Sequence, residues 1–190
     1  MPVKTSGLTA NSPLHYLMNA GAVYKNLTYD ELTGDFTGTL LGATSGGNEF
    51  ALAQEIRNLE VDGAKGPTKG NVVIDSETAT LTVNLKELTA SNIALAIAGS
   101  QTTSDTNYDI ITSKKKIELS DYLQNIAFVG RLSGSSDPVV IVIDNAISLE
   151  GLTVATTDKN EAIVPVVFTG HEGEDGTSPY KIYWPKVVVA

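Results

Sequence analysis

The sequence predicts a mainly β protein: a β-sandwich or a partly closed barrel with one short α-helix. Three observations lead there. Short runs rich in Val, Ile and Thr recur along the chain, parted by Gly- and Pro-containing turns. One run alternates: Leu81, Val83 and Leu85 fall on one face, and Thr78, Thr80, Thr82, Asn84 and Lys86 on the other. That is the period of a strand with a dry face and a polar face. Another run, Val139–Ile143, is continuously apolar, as a strand buried on both faces requires. The 190 residues suit one β domain, 21–185, with an N-terminal arm, 1–20, and a C-terminal extension, 186–190.

In order, residues 1–19 are polar and turn-rich and read as an arm. Ala22–Tyr29 reads as a strand, and Thr33–Gly38 as a turn cluster. Gly46-Gly47 reads as a turn that opens an extended run, Asn48–Asp62. The glycine-rich Gly63–Gly70 ends that run, and Asn71–Leu88 returns as the alternating strand. Thr89 is a suitable N-cap for a helix over Ala90–Ala98, which Gly99 stops. Ser100–Asn107 reads as a polar loop, and Tyr108–Leu119 as a strand carrying Lys114, Lys115 and Lys116. A short turn at 120–124 leads to the strands Asn125–Leu132 and 138–143. Gly151 and the turn Thr157–Asn160 interrupt the next segment. Glu161–Thr169 follows as a strand whose Pro165 implies an edge or bulge. An acidic loop, Gly170–Ser178, precedes the last strand, Tyr180–Trp184.

Composition narrows the chemistry. The net charge of −9 opposes bulk attraction to DNA or to an anionic membrane. Without cysteine there is no disulfide, thiolate metal site or thiol nucleophile. The first residues lack the apolar core of a signal peptide, and no apolar run approaches the ~20 residues that span a bilayer. Neither glycine-rich turn has the Gly-x4-Gly-Lys-Ser/Thr spacing of a phosphate loop, and no Gly-x-Ser-x-Gly elbow occurs. His171 beside Glu172, Glu174 and Asp175 lacks the alternating oxygen donors of a calcium loop and reads as a solvated acidic loop. The Lys114–Lys116 run reads as a solvated strand end or a contact to an acidic neighbour. With 22 acidic residues a carboxylate pair stays open, but Trp184, the one Trp, gives little platform for a sugar. No reaction, cofactor or metal is expected. The apolar end Val187-Val188-Val189 suits docking on this or a neighbouring subunit.

Two successions of residues carry a resemblance. The first is Gly42, Thr44, Gly46, Gly47 and Phe50, then Arg57, Gly63, Lys65, Gly66, Pro67 and Gly70, then Leu81, Leu85, Glu87, Leu88, Thr89, Asn92 and Gly99. The second is Asn145, Ala146 and Gly151, then Asp158, Lys159, Glu161, Ala162, Phe168 and His171, then Pro179, Tyr180, Ile182 and Pro185. In order and spacing they resemble the major tail (tail tube) proteins of long-tailed phages of Gram-positive bacteria, over roughly Gly42–Pro185 with a gap in the middle. The resemblance implies a structural virion protein, made in the host cytoplasm and built into the tail. Homo-hexameric rings would stack into a tube whose lumen is lined by strands of all six subunits. Partners would be other copies, a tape-measure protein, a tail terminator and distal tail or baseplate proteins, with double-stranded DNA in passage and no membrane. Carried onto this chain, Thr78, Thr80, Thr82 and Asn84 become candidates for the lumen face. Gly63, Lys65, Gly66, Pro67, Lys69 and Gly70 become a candidate ring-contact loop.

Two other classes compete. A receptor- or carbohydrate-binding β-sandwich module of a phage baseplate or fibre predicts an exposed aromatic groove. A β-sandwich hydrolase predicts carboxylates clustered in a cleft.

Overall fold

Two strands with opposite demands organise the chain: one must hide both faces, the other a single face. In the computed structural model, which describes residues 5–187, they belong to two packed antiparallel sheets. The strands are β1 (Leu17–Tyr29), β2 (Phe36–Leu40), β3 (Thr44–Asn58), β4 (Val72–Leu85), β5 (Ser100–Ser104), β6 (Asp109–Ser113), β7 (Leu123–Leu132), β8 (Pro138–Ser148), β9 (Val164–Thr169) and β10 (Tyr180–Tyr183). The helix α1 (Ala90–Leu95) follows β4.

Sheet A runs β2-β1-β7-β8-β10 and sheet B runs β9-β4-β3. β8 belongs to both, because Ile147 and Ser148 leave sheet A to pair with Thr169 and Phe168 of β9. The chain is mainly β, with one short α-helix and a sandwich; of the two architectures expected, no barrel closes, and β2 and β3 end the strand path. β5 and β6 form a separate hairpin.

The core fills the space between the sheets. Leu81, Val83 and Leu85 of β4 meet Val23, Ile126 and Ile143 of sheet A, with Val164, Val166 and Phe168 of β9 beside them. Each large side chain so buried stabilises the fold by about 1.5–3 kcal/mol. β8 is buried on both faces as its composition demands: Ile143 enters this core, while Val140 and Val142 enter a smaller cluster on the far side of sheet A.

Several elements differ from the sequence expectation. Gly46 and Gly47, at φ +88° and +87°, make a bulge inside β3 rather than a turn before it. Side chains rarely adopt that backbone, and Asn84 locks it by donating to the Gly47 carbonyl at 2.9 Å. β3 then stops at Asn58, four residues before the expected end at Asp62. Residues 36–38, expected in a turn, open β2. β1 starts at Leu17, inside the segment expected as an arm, because Leu17 and Met18 pair with Leu132 and Arg131. Ser100–Ser104 is a strand, not a loop, and the strand expected over 108–119 is the short β6. α1 ends at Leu95, short of Ala98. Pro165 fits its expectation locally, since only β4 pairs that end of β9. Of the expected apolar end, Val188 and Val189 lie outside the described residues.

Candidate functional site

The alternation of β4 gives sheet B a core side and an outer side. On the outer side lie Thr78, Thr80, Thr82 and Asn84, exposed at Thr78 and half-buried at the other three. Their cross-strand neighbours are small or apolar: Ala53 opposite Thr78, Ala51 and Thr169 beside Thr80, Val167 beside Thr82, and Pro165 beside Asn84. Glu49, opposite Thr82, is the charged exception. This surface is short-chained, hydroxylated and faintly acidic. Thr80 and Asn84 also serve the sheet itself, donating to the carbonyls of Ala51 (3.4 Å) and Gly47.

The same two strands outgrow the sandwich. β9 pairs β4 only over Thr80–Leu85, and the Gly170 N–H donates to the Ala79 carbonyl, so beyond Ala79 the strands β3 and β4 have only each other. The hairpin continues as an arm of about 20 Å of ladder, at 3.3–3.4 Å per residue, and ends in the loop 59–71. On its core-facing side Phe50 and Leu52 pack into the body. Further out, Ile56 faces Ile74 and Asn58 faces Val72. A bulge at Asp75 shifts the register of β4 so that Ile74 and Val72 share the face of Ile56. Beyond Leu52 and Ala79 that side carries the polar Gln54–Glu77 pair and then an exposed apolar patch: Ile56 and Ile74 are each 58% exposed and Val72 50%. A bidentate Arg57–Asp75 pair (2.7 and 3.0 Å) and a Gln54–Glu77 hydrogen bond stiffen the arm. Gly63, Lys65, Gly66, Pro67, Lys69 and Gly70 all lie exposed in its tip loop, with Leu59 and Val61 also exposed. The structure thus places the two candidate residue sets on one hairpin, at different ends.

Motif residues far apart in sequence converge at the base of α1. Thr89 Oγ1 accepts the Asn92 N–H (3.2 Å), as its N-cap role predicts. The buried Asn92 side chain donates to the carbonyls of Leu41 (2.9 Å) and Glu87 (3.1 Å), and Glu87 accepts the Ala43 N–H (3.0 Å). This joint fixes the entry to β3 against the exit of β4. Asn125 does the same for β1, exchanging two hydrogen bonds with the Leu27 backbone at 2.7 and 2.9 Å. Nothing in the local sequence marks Asn125 as buried.

Lys114 is bound by acids of its own loop, Asp121 at 2.6 Å and Glu118 at 3.1 Å, and Lys116 takes Glu118. These bonds hold Lys114 above the usual lysine value and, chiefly through Lys114, hold Asp121 below the usual aspartate value. Glu118 is lowered as well, first by Lys116 and then by Lys114. His171 Nδ1 lies 3.2 Å from the carbonyls of both Asn145 and Thr169, and its ring meets Tyr122 edge-on. No group of three metal-ligating side chains converges among the described residues. A cleft of about 190 Å³ beside α1 is lined by Asp121 and Ser148, whose buried hydroxyl has no partner among the described residues.

Sequence reasoning missed a surface on the outer side of sheet A. Tyr29, Phe36 and Tyr183 cluster with ring centroids 4.7–5.2 Å apart, and Trp184 and Asp137 share a cleft of about 290 Å³ with them. These residues are scattered from 29 to 184 in sequence, so only the pairing of β2, β1, β7, β8 and β10 brings them together. No helix among the described residues is long and apolar enough to cross a membrane. No protein-family model matches the chain, and no curated protein matches it.

Proposed function

We propose that the chain is a structural subunit that polymerises as stacked hexameric rings into a phage tail tube, through which the genome is ejected. The observation that carries this is the arm: a hairpin that projects beyond its own covering layer and exposes the apolar patch Ile56, Ile74 and Val72. Exposed apolar surface of this kind on a rigid hairpin marks an interaction site. The sheet edges support the same reading. No described strand pairs the outer edge of β3, and residues 164–167 of β9 pair only β4. Such edges invite strand addition between copies. On this reading Thr78, Thr80, Thr82 and Asn84, with Glu49, line the lumen. A small, polar, faintly acidic wall gives phosphate nothing to bind, so DNA passes without deep wells. The tape-measure protein would occupy the same wall during assembly.

Electron microscopy of the concentrated protein is the first test: tubes or six-fold rings are expected. In assembled particles Thr82→Lys is expected to slow DNA ejection; unchanged ejection kinetics would remove Thr82 from the lumen. One observation favours the second reading, a receptor- or carbohydrate-binding module of a baseplate or fibre: the exposed aromatic cleft on sheet A. Monomers or trimers that bind glycan and never form rings would establish it instead.

A further inference from the structure

Two exposed apolar surfaces of this chain differ in shape. One is the convex arm with Ile56, Ile74 and Val72. The other is the concave cleft of sheet A, floored by Phe36 and Tyr183 and edged by Tyr29 (40% exposed) and Trp184 (54% exposed). They also differ in charge. At the arm tip, Lys65 and Lys69 are exposed and make no ion pair among the described residues. In the cleft, Asp137 is an exposed carboxylate that likewise makes none; Asp35 adjoins the lining residues Gly34 and Phe36, and the exposed cations Arg131 and Lys186 adjoin the cleft at Pro138 and Pro185.

We propose that the arm of one copy docks in the aromatic cleft of the next, with Lys65 and Lys69 toward Asp137. This rests on the assembly reading above and names the surfaces that meet. A copy cannot fill its own cleft this way. The arm leaves sheet B, the cleft lies on the face of sheet A turned away from sheet B, and folding back would break the β3–β4 ladder. The two surfaces are different, so a single arm-to-cleft contact leaves one arm and one cleft free and lets copies add head-to-tail into a closed ring or an open stack, whereas a reciprocal exchange of arms would stop at a two-fold dimer. Phe36 and Tyr183 meet edge to face at 81° and Tyr29 lies against both, so these three rings are occupied with one another, and Trp184 stands outside that cluster. What remains open is a trough with aromatic walls, suited to aliphatic side chains and, beside Asp137, to lysine.

The chain has no cysteine and one tryptophan, which sits in the cleft, so the test is direct. A chain carrying both Lys69→Cys and Asp137→Cys, assembled and then oxidised, is expected to give a ladder of disulfide-linked multimers; either single variant, which has no partner thiol at the contact, should give none. Asp137→Lys should raise the concentration needed for assembly about tenfold, the effect of roughly 1.4 kcal/mol. Combining it with Lys65→Glu and Lys69→Glu should restore assembly, which a folding defect would not allow. Trp184 emission should shift to the blue as wild-type protein assembles. Assembly without ladder or emission shift would overturn the docking and leave the tube reading standing. Wild-type protein that never assembles would overturn both. Trp184 quenching by a soluble oligosaccharide, with no ladder, would give the cleft to a glycan.

Discussion

Strands β3 and β4 each pass through two environments, and the contrast separates what folds the protein from what the protein offers. Near the base, Leu81, Val83 and Leu85 lie under sheet A at 1% exposure or less. Some twenty ångströms along the same ladder, Ile56 and Ile74 present equivalent side chains to water. The side chains compared are aliphatic and lie on the same side of the sheet in both places. The difference is that sheet A ends and the hairpin does not. Burial in the body makes apolar residues stabilising; aliphatic residues left exposed on the arm add little to the fold.

The sharpest way to break the comparison is to truncate one residue in each region. Phe168→Ala, in the core, should cost about 3–5 kcal/mol, read as a lowered urea midpoint. Next comes the joint that ties the arm's base to α1. Asn92→Ala leaves the Leu41 and Glu87 carbonyls without their buried donor and should cost about 1–3 kcal/mol by the same measurement.

The Lys114 cluster gives a smaller effect with a defined pH sense. Asp121 is held below its ordinary value of 3.8, so its contribution is present above that value and lost as pH falls through the depressed one. Lys114 is held above 10.5, so its share is present below that value and lost as pH rises through the raised one. The melting temperatures of wild type and Asp121→Asn should therefore differ at neutral pH and converge on strong acidification; a gap that persists in acid would sink this account.

The smallest effect on stability belongs to the arm. Ile56→Ser with Ile74→Ser should change monomer unfolding by within about 0.5 kcal/mol per site while abolishing assembly under the electron microscope. A large stability loss would mean that the arm face is covered within one copy, and the contrast drawn above would fail.

Much of this was legible in the chain. The period-2 pattern placed Thr78, Thr80, Thr82 and Asn84 on the outer face, because alternation depends only on the strand's own geometry. The apolar run 139–143 announced a strand buried on both sides, and Thr89 announced the helix start. Elsewhere the residues permit two structures. Gly46-Gly47 suits a turn or a bulge, and Asn84 of the partner strand chooses the bulge. Ser100–Ser104 carries no apolar alternation, and it is extended because β6 pairs with it. Asn92 and Asn125 look like surface residues until the backbones they bind are brought to them.

By itself, then, the sequence determined the local facts: strand period, helix cap, glycine-permitted backbone, acidic balance and the absence of thiol chemistry. These follow from each residue's sterics and charge and need no distant partner. Only the tertiary structure decided where sheet A stops, and hence that Ile56, Ile74 and Val72 are exposed while Leu81 is not. It also decided that Tyr29, Phe36, Tyr183 and Trp184 share one cleft. Burial is a property of pairs of elements, so neither the uncovered arm nor the trough it is proposed to fill could be read from any single stretch of chain.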